Sequence, residues 1–146
     1  MKKFIAIIAI LFSVMVCNAQ ITIVSQNESK TEKVCTLRAM YADLYHNSEV
    51  GYYITANSSN QFDDPYIITL GKEKEDAIET MNTLINVGEN KLDITAQNGT
   101  SKLRMWGDSF LGIKALFVKN EHYAGNFSLN VSELKRGLDK LKSHTN

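Results

Sequence analysis

Cysteine is nearly absent from this chain. Of its two cysteines, Cys17 falls within an N-terminal leader and Cys35 then stands alone, which excludes an internal disulfide in the processed chain. Burial as a small apolar side chain is the expected state of such a residue. The three histidines lie singly, so the paired nitrogen and sulfur ligands of a zinc site are missing. Neither a glycine-rich phosphate loop nor a Gly-x-Ser-x-Gly nucleophile turn occurs, which removes the usual warrants for nucleotide and acyl-transfer chemistry. No excess of positive charge exists either. Losing Lys2 and Lys3 with the leader takes the sixteen basic residues to fourteen against sixteen acidic ones, and nucleic acid is a poor partner for such a balance.

The leader is the clearest segment present. Lys2 and Lys3 precede an apolar run from Phe4 to Leu11 that continues to Val16, and Asn18, Ala19 and Gln20 follow. A charged start, an apolar stretch and small residues at a cleavage point describe a signal peptide spanning residues 1–19, cut after Ala19. The run covers about 13 residues where a membrane-spanning helix needs roughly 20, so the processed chain is expected to be exported, periplasmic or secreted, with no membrane span. Lipid attachment at Cys17 is disfavoured by Val16, since a small residue normally precedes a lipidated cysteine.

Residues 20–33 alternate weakly and turn polar, as an edge strand or a flexible lead-in would. Residues 34–143 form the expected α+β domain. Val34 to Tyr45 fits a helical stripe and strand alternation alike, and the β-branched and aromatic run Val50 to Thr55 favours strand, with a hairpin turning at Asn47-Ser48 that pairs Tyr45 with Val50 and Tyr41 with Ile54. A polar loop from Asn57 to Asp64 ends at the single proline, Pro65. Tyr66 to Leu70 reads as a buried strand. Ala77, Ile78, Met81, Leu84 and Ile85 then share one face of a helix that Gly88 would end.

Asn98-Gly99 predicts a second hairpin of type I′, with Ile94 facing Leu103, Leu92 facing Met105, and Asp93 meeting Arg104. Trp106, Gly107 and Asp108 suggest a turn, followed by strands over Leu111 to Val118 and Tyr123 to Val131. Leu134, Leu138 and Leu141 mark a final helix, and Asn130 with Glu133 has the spacing of a capping box. The sum is an antiparallel β-sheet of about six to eight strands with two α-helices packed on one face. Tyr66-Ile68-Leu70 before the first helix resembles Phe127-Leu129-Val131 before the second, which leaves a duplicated strand-rich unit open.

Chemistry is sparse. Cys35 with His46 or His122 is the sole pairing that would support nucleophilic catalysis, and both histidines fall at expected turns. Asn57, Ser58, Asn60, Asp63 and Asp64 gather oxygen donors, but at the spacing of no calcium loop, so ordinary turn chemistry explains them. The acidic residues Glu73, Glu75, Asp76 and Glu79 suit a helix start. Asn27, Asn57, Asn98, Asn126 and Asn130 each open an Asn-x-Ser/Thr triplet, which a eukaryotic secretory pathway would glycosylate. Aromatic residues are plentiful, and most are expected to pack the core, with Tyr52 and Trp106 as the exceptions available for contact.

The expected function is therefore a non-enzymatic exported module that binds a protein, peptide or glycan. Its candidate ligand-binding residues are Tyr52, Trp106, Asp63 and Asp64, with no catalytic residue, metal or cofactor assigned. A small hydrolase using Cys35 and a histidine is one alternative. A structural role in envelope assembly is another.

Overall fold

A computed structural model describes residues 30–145. The expected leader and cleavage point, Cys17 and most of the expected lead-in lie outside the described residues. Ten elements follow in order: β1 (Thr31–Arg38), β2 (Ala42–Asn47), β3 (Gly51–Ala56), β4 (Tyr66–Gly71), α1 (Lys74–Asn90), β5 (Asp93–Asn98), β6 (Ser101–Phe110), β7 (Ile113–Asn120), β8 (Phe127–Asn130) and α2 (Val131–Ser143). The protein is α+β, and its strands form two four-stranded antiparallel sheets, β1-β2-β3-β4 and β5-β6-β7-β8, instead of one continuous sheet. No helix among the described residues is long and apolar enough to cross a membrane.

Strand alternation decides which side chains enter the core. In β4, Tyr66, Ile68 and Leu70 are buried while Ile67 and Thr69 are exposed, and in β2 and β3 the buried set includes Leu44, Ile54 and Ala56. One contiguous core joins these to Leu103, Leu116, Val118, Phe127 and Leu129 of the second sheet, and to Met81, Leu84, Leu134 and Leu141 of the helices. Helix α1 touches β3, β4, β6 and β7, whereas α2 touches β1, β7, β8 and α1.

Each departure from expectation has a physical cause in the structure. Val34 to Tyr45 is extended but broken into two strands by a turn in which Tyr41 N–H donates to the Arg38 carbonyl at 3.0 Å and Met40 takes φ 58°. A methionine in left-handed backbone carries no turn signal. The β2–β3 register also differs. Tyr45 faces Tyr53 and Leu44 faces Ile54, because the Asn47 side-chain oxygen accepts from Glu49 N–H (2.9 Å) and Val50 N–H (3.0 Å) and closes a longer turn.

The Asn98-Gly99 hairpin forms with its turn one residue later. Asn98 pairs with Ser101, so Ile94 faces Met105, Ala96 faces Leu103 and Thr95 faces Arg104. Gly99 has φ 61° and Thr100 does not share the positive φ, the pattern of a type II′ turn. Asn98 stays in the strand because its side chain bridges to β4, donating to the Ile67 carbonyl (2.7 Å) and accepting from Thr69 N–H (3.1 Å).

Two glycines read as breaks are close-packing positions. Gly88 lies inside α1, which ends at Lys91 in left-handed backbone, and Gly107 lies inside β6. A Cβ on Gly107 would sit 2.2 Å from the Val87 carbonyl oxygen and 3.0 Å from the Gly88 Cα, so both glycines let helix and strand approach. The turn falls instead at Leu111 and Gly112, with φ 49° and 80°. The capping box is present: Asn130 N–H donates to the Glu133 carboxylate at 2.8 Å.

Candidate functional site

The outward side chains of the second sheet follow from register. Across one row, Asp93 faces Trp106, Trp106 faces Phe117, and Phe117 faces Ser128. Trp106 and Phe117 stack with centroids 5.5 Å apart and planes 14° from parallel, and neither belongs to the core. The Arg104 guanidinium lies 5.3 Å from the centre of the Trp106 ring and pairs with Asp93 at 2.6 Å. Both partners of that pair remain largely in solvent, so it orients the guanidinium more than it stabilises the fold.

Beside Phe117 the sheet surface is concave. A groove of about 280 Å³ is lined by Asp108, Phe110, Ile113, Phe117, Ser128 and Asn130 among others. Phe110 is 78% exposed and Ile113 56%, and Leu111 at the adjoining turn is 85% exposed. These are large apolar side chains in one contiguous stretch, which soluble surfaces seldom leave open without a use. Among the described residues no ion pair engages Asp108, whose carboxylate accepts from Ser109 N–H at 2.7 Å. It is the single formal charge among the groove-lining residues.

Of the four residues singled out by sequence, Trp106 alone adjoins this groove. Tyr52 is not on the surface: its side chain is fully buried and its hydroxyl lies 3.3 Å from His144 Nδ1. His144 in turn places Nε2 3.2 Å from Glu32 and sits 5.7 Å from the His46 ring, which fastens the end of α2 to the first sheet, and its carbonyl accepts a bond from Lys74 Nζ at the start of α1. His144 carried no sequence signal beyond its residue type.

Asp63 serves the fold. Its carboxylate accepts from Ser58 (2.8 Å), Asn60 (3.2 Å), Gly125 N–H (2.8 Å) and Ala124 N–H (3.3 Å), tying the loop after β3 to the loop after β7. Desolvation pushes the Asp63 carboxyl up, but the bonds from Gly125, Ser58, Ala124 and Asn60 outweigh it and hold the group below its ordinary value. Asp64 is exposed beside it.

Cys35 is half-buried against the core, and desolvation pushes its thiol upward, away from the thiolate. Among the described residues no hydrogen bond joins it to a histidine, and His122 is at the surface beside Glu121. No group of three or more His, Cys, Asp or Glu among them could hold a metal ion.

Phe110, Ile113 and Phe117 were missed by sequence reasoning, although Ile113, Ala115 and Phe117 alternate as one strand face should. The chain matches no family model, no curated protein and no solved structure.

Proposed function

We propose that this protein is an exported, non-enzymatic interaction module that holds a polypeptide segment on the outer face of its second sheet. The observation that carries this is the groove beside the Trp106–Phe117 stack, where Phe110 and Ile113 are exposed next to the unpaired carboxylate of Asp108. An aromatic or aliphatic side chain would fill the apolar part, and a lysine or arginine next to it would meet Asp108. A glycan fits less well, because sugar hydroxyls need many uncommitted polar groups and Asn130 is engaged in the capping box. The raised thiol of Cys35 weighs against the hydrolase alternative. The repeated order of four strands and a helix supports a duplicated strand-rich unit whose helices cover one face of each sheet, leaving the opposite faces to bind.

The test uses ten-residue glycine-serine peptides with Phe-Lys, Phe-Glu or Ser-Lys at the centre, followed by Trp106 fluorescence. Phe-Lys should bind most tightly, with about a threefold preference over Phe-Glu, the size of an exposed charge pair. Asp108→Lys should reverse that order. Equal binding of Ser-Lys and Phe-Lys would contradict an apolar anchor.

A further inference from the structure

The first sheet repeats the row that frames the groove. Lys33 faces Tyr45, Tyr45 faces Tyr53, and Tyr53 faces Thr69, matching Asp93, Trp106, Phe117 and Ser128 strand for strand. In both rows a charged edge residue is followed by two aromatic rings and a hydroxyl. Tyr45 and Tyr53 stack at 5.7 Å and 20°, close to the geometry of Trp106 and Phe117.

The flanking charges repeat with their signs exchanged. Lys33 pairs with Asp43, two residues before Tyr45, and Asp93 pairs with Arg104, two residues before Trp106. In each sheet the cation covers one ring of the stack: Lys33 Nζ lies 5.7 Å from the centre of Tyr45, and Arg104 lies 5.3 Å from Trp106. The other ring of each stack lines a cavity. Tyr53 borders one of about 210 Å³ with Asn47, Val50 and Ile67, as Phe117 borders the groove of the second sheet. Val50 and Ile67 are each 56% exposed.

Neither Tyr45 nor Tyr53 belongs to the core, so packing of the fold does not account for the recurrence. We infer that the outer face of the first sheet is a second peptide-binding site, in which an aromatic side chain stacks on Tyr53 between Val50 and Ile67. This rests on the proposed role of the second sheet. The two sites differ in charge. No ionisable group other than the Tyr53 phenol lines the first-sheet cavity, and the charges of the row beside it, Lys33 and Asp43, are paired with each other, so its occupant is an aromatic residue flanked by uncharged ones. A partner that carries both kinds of anchor would be held at two points, raising its overall affinity above either contact alone.

The test is backbone amide mapping of the processed chain against a glycine-serine decapeptide with a central Ser-Phe-Ser. Saturable shifts are expected both around Val50, Tyr53 and Ile67 and around Ile113 and Phe117. Tyr53→Ala should weaken the first set by about tenfold and leave the second within about twofold. Ile67→Ser, at a half-exposed position, should weaken the first set in the same direction should the tyrosine variant fail to fold. Shifts confined to the second sheet would overturn this inference and leave the proposed function standing. Shifts confined to the first sheet would uphold binding there and overturn the proposed function, and none at all would overturn both.

Discussion

Asp63 and Cys35 show how differently two polar side chains are held. Asp63 ionises more readily in the folded chain than in the unfolded one, so its contribution to stability is complete above its ordinary value of 3.8 and is lost as pH falls through its lower folded value. Asp63→Asn should unfold at lower urea concentration than the parent at neutral pH, and the gap should narrow as pH drops below 3.8. A gap that stays constant with pH would mean the loops are not held by the carboxylate. Cys35 presents the opposite case. Its upward-shifted, half-buried thiol should react slowly with iodoacetamide at neutral pH in the folded protein and rapidly in urea, as mass spectrometry would record. Rapid labelling of the folded form would return the hydrolase alternative to contention.

Glycine and glutamate decide how the elements meet. Gly107 faces the Val87 carbonyl across a gap that no side chain fits, so Gly107→Ala should cost about 3 kcal/mol in urea unfolding, the upper range for overpacking against backbone. Glu133 accepts from Asn130 N–H at the start of α2 and holds Arg38 of β1 through two bonds of 3.0 and 2.9 Å. Glu133→Gln keeps the cap and loses the ion pair, whereas Glu133→Ala loses both. The alanine variant should therefore be the less stable of the two by about 1 kcal/mol.

The same elements show what a single sequence can reveal. Helix α2 was legible because its leucine spacing and its capping box are local features, and the hairpin at Asn98-Gly99 was legible from its turn pair. Its exact turn position was not, since Asn98 is kept in the strand by Ile67 and Thr69 of another sheet. The break at Met40 had no signal because its backbone is one that methionine seldom adopts. Gly88 and Gly107 were misread for a related reason: a glycine required for close approach looks in sequence like one required for a turn. Trp106 could be singled out as a candidate, but Phe117, its stacking partner, could be paired with it only once the β6–β7 register was known.

At the scale of the molecule, the division into two sheets depends on contacts between distant parts of the chain, and nothing in a local pattern separates one sheet of eight strands from two of four. What joins the halves is both apolar and polar. Core side chains from both sheets are contiguous, Tyr66 of β4 donates to the Gly125 carbonyl at 2.9 Å and accepts from Asn120 N–H at 3.1 Å, and Asn98 bridges β5 to β4. The halves should therefore unfold together. Tyr52→Phe removes a buried hydroxyl of the first half, and it should lower the unfolding midpoint reported by Trp106 in the second half by an amount equivalent to about 1 kcal/mol. An unchanged Trp106 transition would show that the halves unfold independently.

Binding at the second sheet is the central claim, and removal of the Phe117 ring tests it most directly. Phe117→Ala removes one ring from the stack and no residue of the core, so the variant should stay folded, its stability lowered by about the 1 kcal/mol of one aromatic pair, while losing about tenfold in affinity for the central Phe-Lys peptide. Undiminished affinity in a folded Phe117→Ala protein would contradict the assignment of the groove as the binding site.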